Sequence, residues 1–278
     1  MDYQEFEVPE SLRRKLACVW RLRDPDPSPD ADVVFPDGRC ELIIHLGKPM
    51  ACWQLDLGWV PQDPLMFAAQ QRAPIRLAAL GPLDCFGIRL QPAASALIPG
   101  VKLPALRERI IPLGDLDPGF ALALSRNVRA SSATESESRL WQLLESRLAS
   151  PPLDESVEKS VAALDDACGQ VRISDLAGML GLPMRRLQER FQASVGLTPK
   201  EYSRVLRLQS AIRLIDADRA PLANIAVDVG FCDQAHATRE LQSLTGLTPA
   251  RLSKALREQR NGKQALKLAA AFVRGRSV

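Results

Sequence analysis

GLTPKEYSRVL runs from Gly196 to Leu206, and GLTPARLSKAL runs from Gly246 to Leu256, an offset of 50 residues. The echo extends upstream. Leu176, Ala177, Leu180, Gly181 and Leu182 correspond to Ile225, Ala226, Val229, Gly230 and Phe231. The two glycines stand 49 residues apart, so the second copy carries one extra residue in its turn. An internal repeat of this size points to a duplicated supersecondary unit.

Each copy reads as helix, turn, helix. Ser174 and Asn224 are suitable N-caps, because a short polar side chain accepts from the free amides of a first helical turn. Gly181 and Gly230 follow the apolar run, where a helix end favours positive φ. A second helix then starts near Met184 in one copy and near Gln234 in the other, with Asp233 as the cap of the latter. Pro183 supplies a fixed φ suited to a first helical position but no capping oxygen. Between the units, Pro199 to Asp216 reads as a long amphipathic helix behind a Thr198 cap. Tyr202, Val205, Leu206, Leu208, Ile212 and Leu214 make its apolar face, as in a strut between the two second helices.

The faces of those second helices carry the functional reading. Leu187, Phe191 and Val195 recur at i, i+4 and i+8, an apolar stripe. Arg185, Gln188, Glu189 and Gln192 fall opposite. In the second copy Ala237, Leu241 and Leu244 point inward, while Ala235, Thr238, Arg239 and Gln242 point outward with His236 beside Arg239; Gln234, at the helix start, is a further candidate DNA contact. Arg, Gln, Thr and His can hydrogen-bond base edges in a major groove. Most polar helix faces merely face water. Two of them, each behind a short helix and a glycine turn, favour DNA. Arg186, Arg190 and Lys200 are candidate phosphate contacts, with the helix-start amides.

DLAGMLGLPMRRLQERFQASVGLTPKEY and IAVDVGFCDQAHATRELQSLTGLTPARL resemble the paired helix-turn-helix module of AraC/XylS-type transcriptional regulators, over roughly Val171 to Leu256. The resemblance implies base-reading roles for Arg185, Gln188 and Glu189, then for Ala235, His236, Thr238 and Arg239. This chain departs from the family where it has Glu189 in place of a common Arg, and where Ala237 and Leu241 replace common aromatic residues. More loosely, PDGRCELIIHLG and GIRLQPAASALIPG resemble an N-terminal domain found ahead of such modules, which implies a cupin-like sensory or regulatory half.

The charge distribution agrees with two unlike halves. The net charge of the 278 residues is +3. From Arg172 onward there are 18 Lys and Arg against 9 Asp and Glu, a net of +9. The preceding 171 residues have 18 against 24, a net of −6. A basic half joined to an acidic one fits a phosphate-binding domain attached to one that is not. The length prior also gives about two domains. No apolar run approaches the roughly 20 residues that span a bilayer, and the start MDYQEFEVPE is too acidic for a secretory signal. Six cysteines without a CxxC pair fit a reduced, cytoplasmic chain.

The first half reads as strands and turns. Leu16, Cys18, Trp20 and Leu22 alternate as a strand, and DPDPSPD follows as a loop. Val33 to Phe35, Pro36-Asp37-Gly38 and CELIIHLG make strand, turn, strand. Further strands are expected at Ile75 to Leu80 and Asp84 to Leu90, and a short helix at Ala93 to Leu97. Leu113 to Leu124, Ser138 to Ala149 and Val157 to Cys168 read as helices, with a polar, exposed stretch from Arg126 to Ser138. An apolar stripe on the helices before Ser150 packs on the chain's own barrel or pairs two subunits, local packing being the commoner case. The expected fold is therefore an α+β multidomain chain. A β-rich, cupin-like barrel over 1–150 is followed by a linker and connecting helix over 151–169. An all-α DNA-binding domain over 170–260, with two helix-turn-helix units joined by a long helix, precedes a basic tail over 261–278.

No catalytic set is evident. The two histidines, His45 and His236, fall in different halves, so a multi-histidine metal barrel cannot be assembled, and no metal or cofactor is expected. No GxxxxGK loop is present. Trp20, Arg39, Glu41, His45, Trp53 and Arg89 are the candidate ligand-binding residues of the first half, although strand alternation sends some of them outward. The expected activity is sequence-specific, non-enzymatic transcriptional regulation. Its partners would be double-stranded DNA, with a small-molecule effector, RNA polymerase and a second copy of the chain as candidates, and no membrane. The competing reading is an N-terminal enzyme or small-molecule carrier fused to a DNA-binding module. A third, an adaptor gripping a protein partner, is disfavoured by the clustered positive charge.

Overall fold

The computed structural model describes residues 1–98, 102–129, 133–149, 151–216 and 222–260. The tail 261–278 and part of the stretch from Arg126 to Ser138 lie outside the described residues. Among the described residues ten strands form two antiparallel sheets. β1 (Asp2–Phe6), β2 (Leu16–Asp24), β4 (Glu41–His45), β7 (Leu65–Ala68), β9 (Leu83–Leu90) and β10 (Ile110–Pro112) make the larger, in the order β1-β2-β9-β4-β7-β10. β3 (Asp32–Val34), β5 (Ala51–Gln54), β6 (Gly58–Pro61) and β8 (Ile75–Ala78) make the smaller, in the order β3-β8-β5-β6.

The larger sheet is covered on both faces, and alternation decides which side chain goes where. Val19, Leu42, Ile44, Phe67, Ile88 and Leu90 are buried with Ile98, Leu113, Phe120, Leu124, Leu140 and Leu144. That layer is supplied by a 3-10 turn (Pro92–Leu97) and by α1 (Leu113–Leu116), α2 (Pro118–Arg129) and α3 (Ala133–Leu148). On the opposite face Trp20, Leu22 and Cys85 pack with Met50, Leu77 and Leu83 between the two sheets.

This arrangement corrects the cupin-like barrel expected from the sequence: both sheets are open. β1 and β10 remain the edges of the larger sheet, and β3 and β6 those of the smaller. A barrel needs strands long enough to tilt and hold register around a closed ring. The small-sheet strands have only three or four residues. The helical layer buries the far face of the larger sheet instead, so a nearly continuous apolar strand such as β4 is satisfied without closure. The Pro36-Asp37-Gly38 turn also differs from a hairpin. β3 pairs with β8 while β4 pairs with β7 and β9, so residues 35–40 cross from one sheet to the other.

The second half is helical: α4 (Glu155–Asp166), α5 (Ile173–Met179), α6 (Met184–Val195), α7 (Pro199–Asp216), α8 (Leu222–Asp228), α9 (Gln234–Thr245) and α10 (Pro249–Arg260). α7 serves two cores. Its first half gives Tyr202, Val205 and Leu206 to a cluster with Leu187, Phe191, Val195 and the α4 residues Val157, Val161 and Leu164. Its second half gives Leu208, Ala211, Ile212 and Ile215 to a cluster with Ile225, Phe231, Leu241 and Leu252. The Thr198 cap is a full capping box: Glu201 N–H donates to Thr198 Oγ1 at 3.2 Å, and Thr198 N–H donates to a Glu201 carboxylate oxygen at 2.8 Å. No described helix is long and apolar enough to cross a membrane.

Candidate nucleic-acid interface

Both units turn by the same hydrogen bonds. In the first, Leu182 N–H donates to Ala177 O at 3.0 Å and Gly181 N–H to Gly178 O at 3.1 Å. In the second, Phe231 N–H donates to Ala226 O and Gly230 N–H to Val227 O, each at 2.9 Å. This is the Schellman pairing, and it places Gly181 at φ +62° and Gly230 at φ +79°, where a Cβ is disfavoured. The extra residue of the second copy lies between Gly230 and Gln234, in the stretch Phe231-Cys232-Asp233 that answers Leu182-Pro183. Asp233 uses its position to cap α9, accepting from His236 N–H at 2.6 Å. Pro183 sits at the N-cap of α6 itself, with φ −58° and no side-chain cap. Ser174 and Asn224, expected as caps, lie inside α5 and α8, because both helices begin earlier than their polar residues suggest.

On α6, Arg185, Arg186, Gln188 and Glu189 are exposed, and Arg190 and Gln192 are half-buried. Arg185 Nε donates to Glu189 at 2.8 Å, while Arg190 Nε donates to Asp154 at 2.7 Å. Asp154 also caps α4 through Ser156 and Val157. Its burial favours the neutral acid, but hydrogen bonds from Ser156, Arg190 and Val157 outweigh it and hold the carboxyl below its usual range. Arg190 is thus a tie between α6 and α4. On α9, Gln234, Ala235, Arg239 and Gln242 are exposed, and His236 and Thr238 are half-buried. Thr238 Oγ1 donates back to Gln234 O at 2.9 Å. The His236 ring accepts at Nδ1 from Cys232 N–H at 3.3 Å and stands edge-on to Phe231. Arg204 of α7 donates to Glu240 at 2.6 Å, with His236 Nε2 4.0 Å from the same carboxylate. Face analysis did not single out Arg204 and Glu240, since they contact each other only across two helices.

The six candidate ligand residues part company. Trp20, Glu41, His45 and Arg89 share the inner face of the larger sheet. Glu41 is registered opposite Arg89 and His45 opposite Cys85. Arg89 Nε donates to Glu41 at 2.5 Å, its other end lies 3.2 Å from Asp37, and Trp20 Nε1 donates to Glu41 at 3.2 Å. Burial pushes the Glu41 carboxyl above its ordinary range despite Arg89. Burial opposes the charge of Arg89, but Glu41 and Asp37 together raise its value. His45 Nδ1 lies 3.2 Å from Cys85 Sγ. Burial lowers the imidazole and pushes the thiol up to about 12, so Cys85 stays protonated. Trp20, Glu41 and His45 line a mainly apolar cavity of about 70 Å³ between the sheets, with Met50, Gln62 and Leu77. Gln62 and Met66 also line an outer cleft of about 380 Å³, where Trp53 is found with Asp63 and Glu108. Trp53 is exposed and meets Trp59 edge-on under Arg76. Arg39 points elsewhere, to Gln91 at 2.6 Å and Asp165 at 3.5 Å. Gln62 was missed in the sequence because it follows Pro61 at the end of a short strand with no apolar alternation.

Comparison with known proteins adds to this geometry. A family model described as a helix-turn-helix domain matches residues 176–255, and a domain of unknown function (DUF6597) matches residues 4–112. The arabinose operon regulatory protein of Escherichia coli strain K12 is 26% identical over 113 residues, covering 40% of this chain and 39% of that protein. Its Salmonella typhimurium counterpart is 29% identical over 102 residues, covering 36% of each. The chain thus matches less than half the length of these relatives. Among solved structures, ToxT from Vibrio cholerae is similar over 92% of this chain and 100% of that one, at 13% identity and a TM-score of 0.45. The repeated turn geometry and the family match agree: residues 176–255 are a helix-turn-helix domain, and the chain is similar in part to two arabinose operon regulatory proteins.

Proposed function

We propose that this chain is a sequence-specific DNA-binding transcriptional regulator of the AraC/XylS type. In it, α6 and α9 enter successive major grooves, about 34 Å apart along one face of the duplex. The supporting observation is the pair of outward rows, exposed Arg185, Gln188 and Glu189 on one helix and exposed Ala235 and Arg239 with half-buried His236 on the other, each behind the same glycine-closed turn. Residues 1–150 act as the regulatory half, with a small-molecule effector in the inter-sheet cavity beside Trp20, Glu41 and His45. Residues 151–169 connect the halves, and 170–260 hold the DNA. A second copy of the chain, RNA polymerase and a cytoplasmic setting complete this reading.

The test is binding-site selection from random duplex DNA with the full chain. The expected result is enrichment of two short motifs about 10 base pairs apart, with affinity that falls steeply as salt rises. Recovery of unenriched sequence, or retention of nothing at moderate salt, overturns the reading.

A further inference from the structure

The crossover between the sheets does more than join them. Phe35 is 5% exposed, yet it is grouped with neither buried cluster of its own half. It belongs to the buried cluster of the second helix-turn-helix unit, with Leu208, Ile212, Phe231 and Leu241. Val33 packs against the same cluster. One residue on, the Pro36 carbonyl accepts from Gln209 Nε2 at 2.6 Å, both groups being buried. At the other end of the segment, Arg39 reaches Asp165, whose second oxygen accepts from Tyr202 Oη at 2.6 Å. Tyr202 and Gln209 are seven residues apart, two turns along one face of α7. The segment is anchored on its own side by Asp37, ion-paired with Arg89.

We infer that residues 33–39 are a strap by which the N-terminal half completes the core of the second helix-turn-helix unit and sets the presentation of α9. A core that is missing one large aromatic side chain loses both its contacts and its uniqueness of packing. The unit that reads the second half of a DNA target is therefore conditional on a large aromatic side chain from the other half of the chain, whereas the first unit's core, built with α4, takes from that half the small Ala93. The DNA consequence rests on the function proposed above; the structural dependence does not.

Amide hydrogen exchange on the full chain tests the strap, comparing wild type with Phe35→Ala and Gln209→Ala. The α9 amides should exchange about tenfold faster or more in Phe35→Ala, and faster by a smaller factor in Gln209→Ala, while α6, β2 and β9 keep their rates. Unchanged α9 rates in both variants overturn the inference. So does equal acceleration everywhere, which would make Phe35 an ordinary core residue. Should Phe35→Ala not fold, Phe35→Leu is read in the same way. A second measurement compares binding to the selected site with its second motif intact or scrambled. Wild type should discriminate between the two and Phe35→Ala should do so much less; equal discrimination counts against the strap. If wild type itself does not discriminate, the DNA reading fails and the exchange result still stands.

Discussion

Arg204 of α7 grips Glu240 of α9 through two nitrogens, at 2.6 and 3.3 Å, across the gap between the two helices. Both side chains are mostly covered, so the pair is screened less than a surface bridge. Arg204→Ala should cost about 1 kcal/mol of stability. It should also weaken binding to the selected site several-fold while leaving its base preferences in place. Filter binding on the site and on single-base variants checks this. A changed preference would mean that Arg204 or Glu240 touches bases directly.

Arg239 stands exposed on α9. If its guanidinium reads a guanine, Arg239→Ala should cost about 1–3 kcal/mol of specific binding and relax selectivity at one position. Competition assays with specific and random duplexes separate the effects. Equal losses on both would reduce Arg239 to a phosphate contact.

Arg185 is engaged by Glu189, and both are exposed. Such a pair contributes little to stability, but under the proposed function it would place a carboxylate beside the phosphates of a bound duplex. Glu189→Ala should tighten binding at low salt and steepen the dependence of log K on log salt by roughly one. Looser binding would show that Glu189 accepts from a base, as toward a cytosine amine.

Gly87 lies under the Trp20 indole, opposite it in the β2–β9 register, and an added Cβ would come within 2.0 Å of the ring. Gly87→Ala should destabilise the N-terminal half by about 1–3 kcal/mol through forced repacking. A denaturant midpoint equal to wild type would contradict this packing.

Burial holds His45 below the ordinary imidazole range, so the folded chain keeps the ring neutral. The unfolded chain takes up a proton below about pH 6.5. Stability from this site is complete above that value. It is lost as pH falls from there to the depressed folded value. Denaturant midpoints from pH 8 to 5 should therefore fall more steeply in wild type than in His45→Gln. Parallel slopes would remove His45 from the account.

The helix-turn-helix half was legible because its signals are local. Spacing of Leu187, Phe191 and Val195 names the buried face, and a repeated glycine marks each turn. The exact caps were less so: Ser174 and Asn224 have the right chemistry but lie past the helix starts. The barrel failed for a different reason. Pro36-Asp37-Gly38 specifies a change of direction but not which strands will pair, and β3 found β8 rather than β4. Likewise, β alternation grouped Trp20, Glu41, His45 and Arg89 only after register was known, and it left Arg39 and Trp53 outside. The burial of Phe35 could not be read at all, because its neighbours are more than a hundred residues away.

That distant placement bears on how such chains can be rearranged. A cut near residues 150–156, the natural place to separate the halves, leaves the downstream piece with an empty aromatic socket at its far unit. Swapping in a foreign front half would do the same unless the newcomer brought a side chain of similar bulk on a loop of similar reach. Pieces of this protein are thus not interchangeable cassettes, and a fragment that grips only half its target would betray a missing plug rather than a faulty reader.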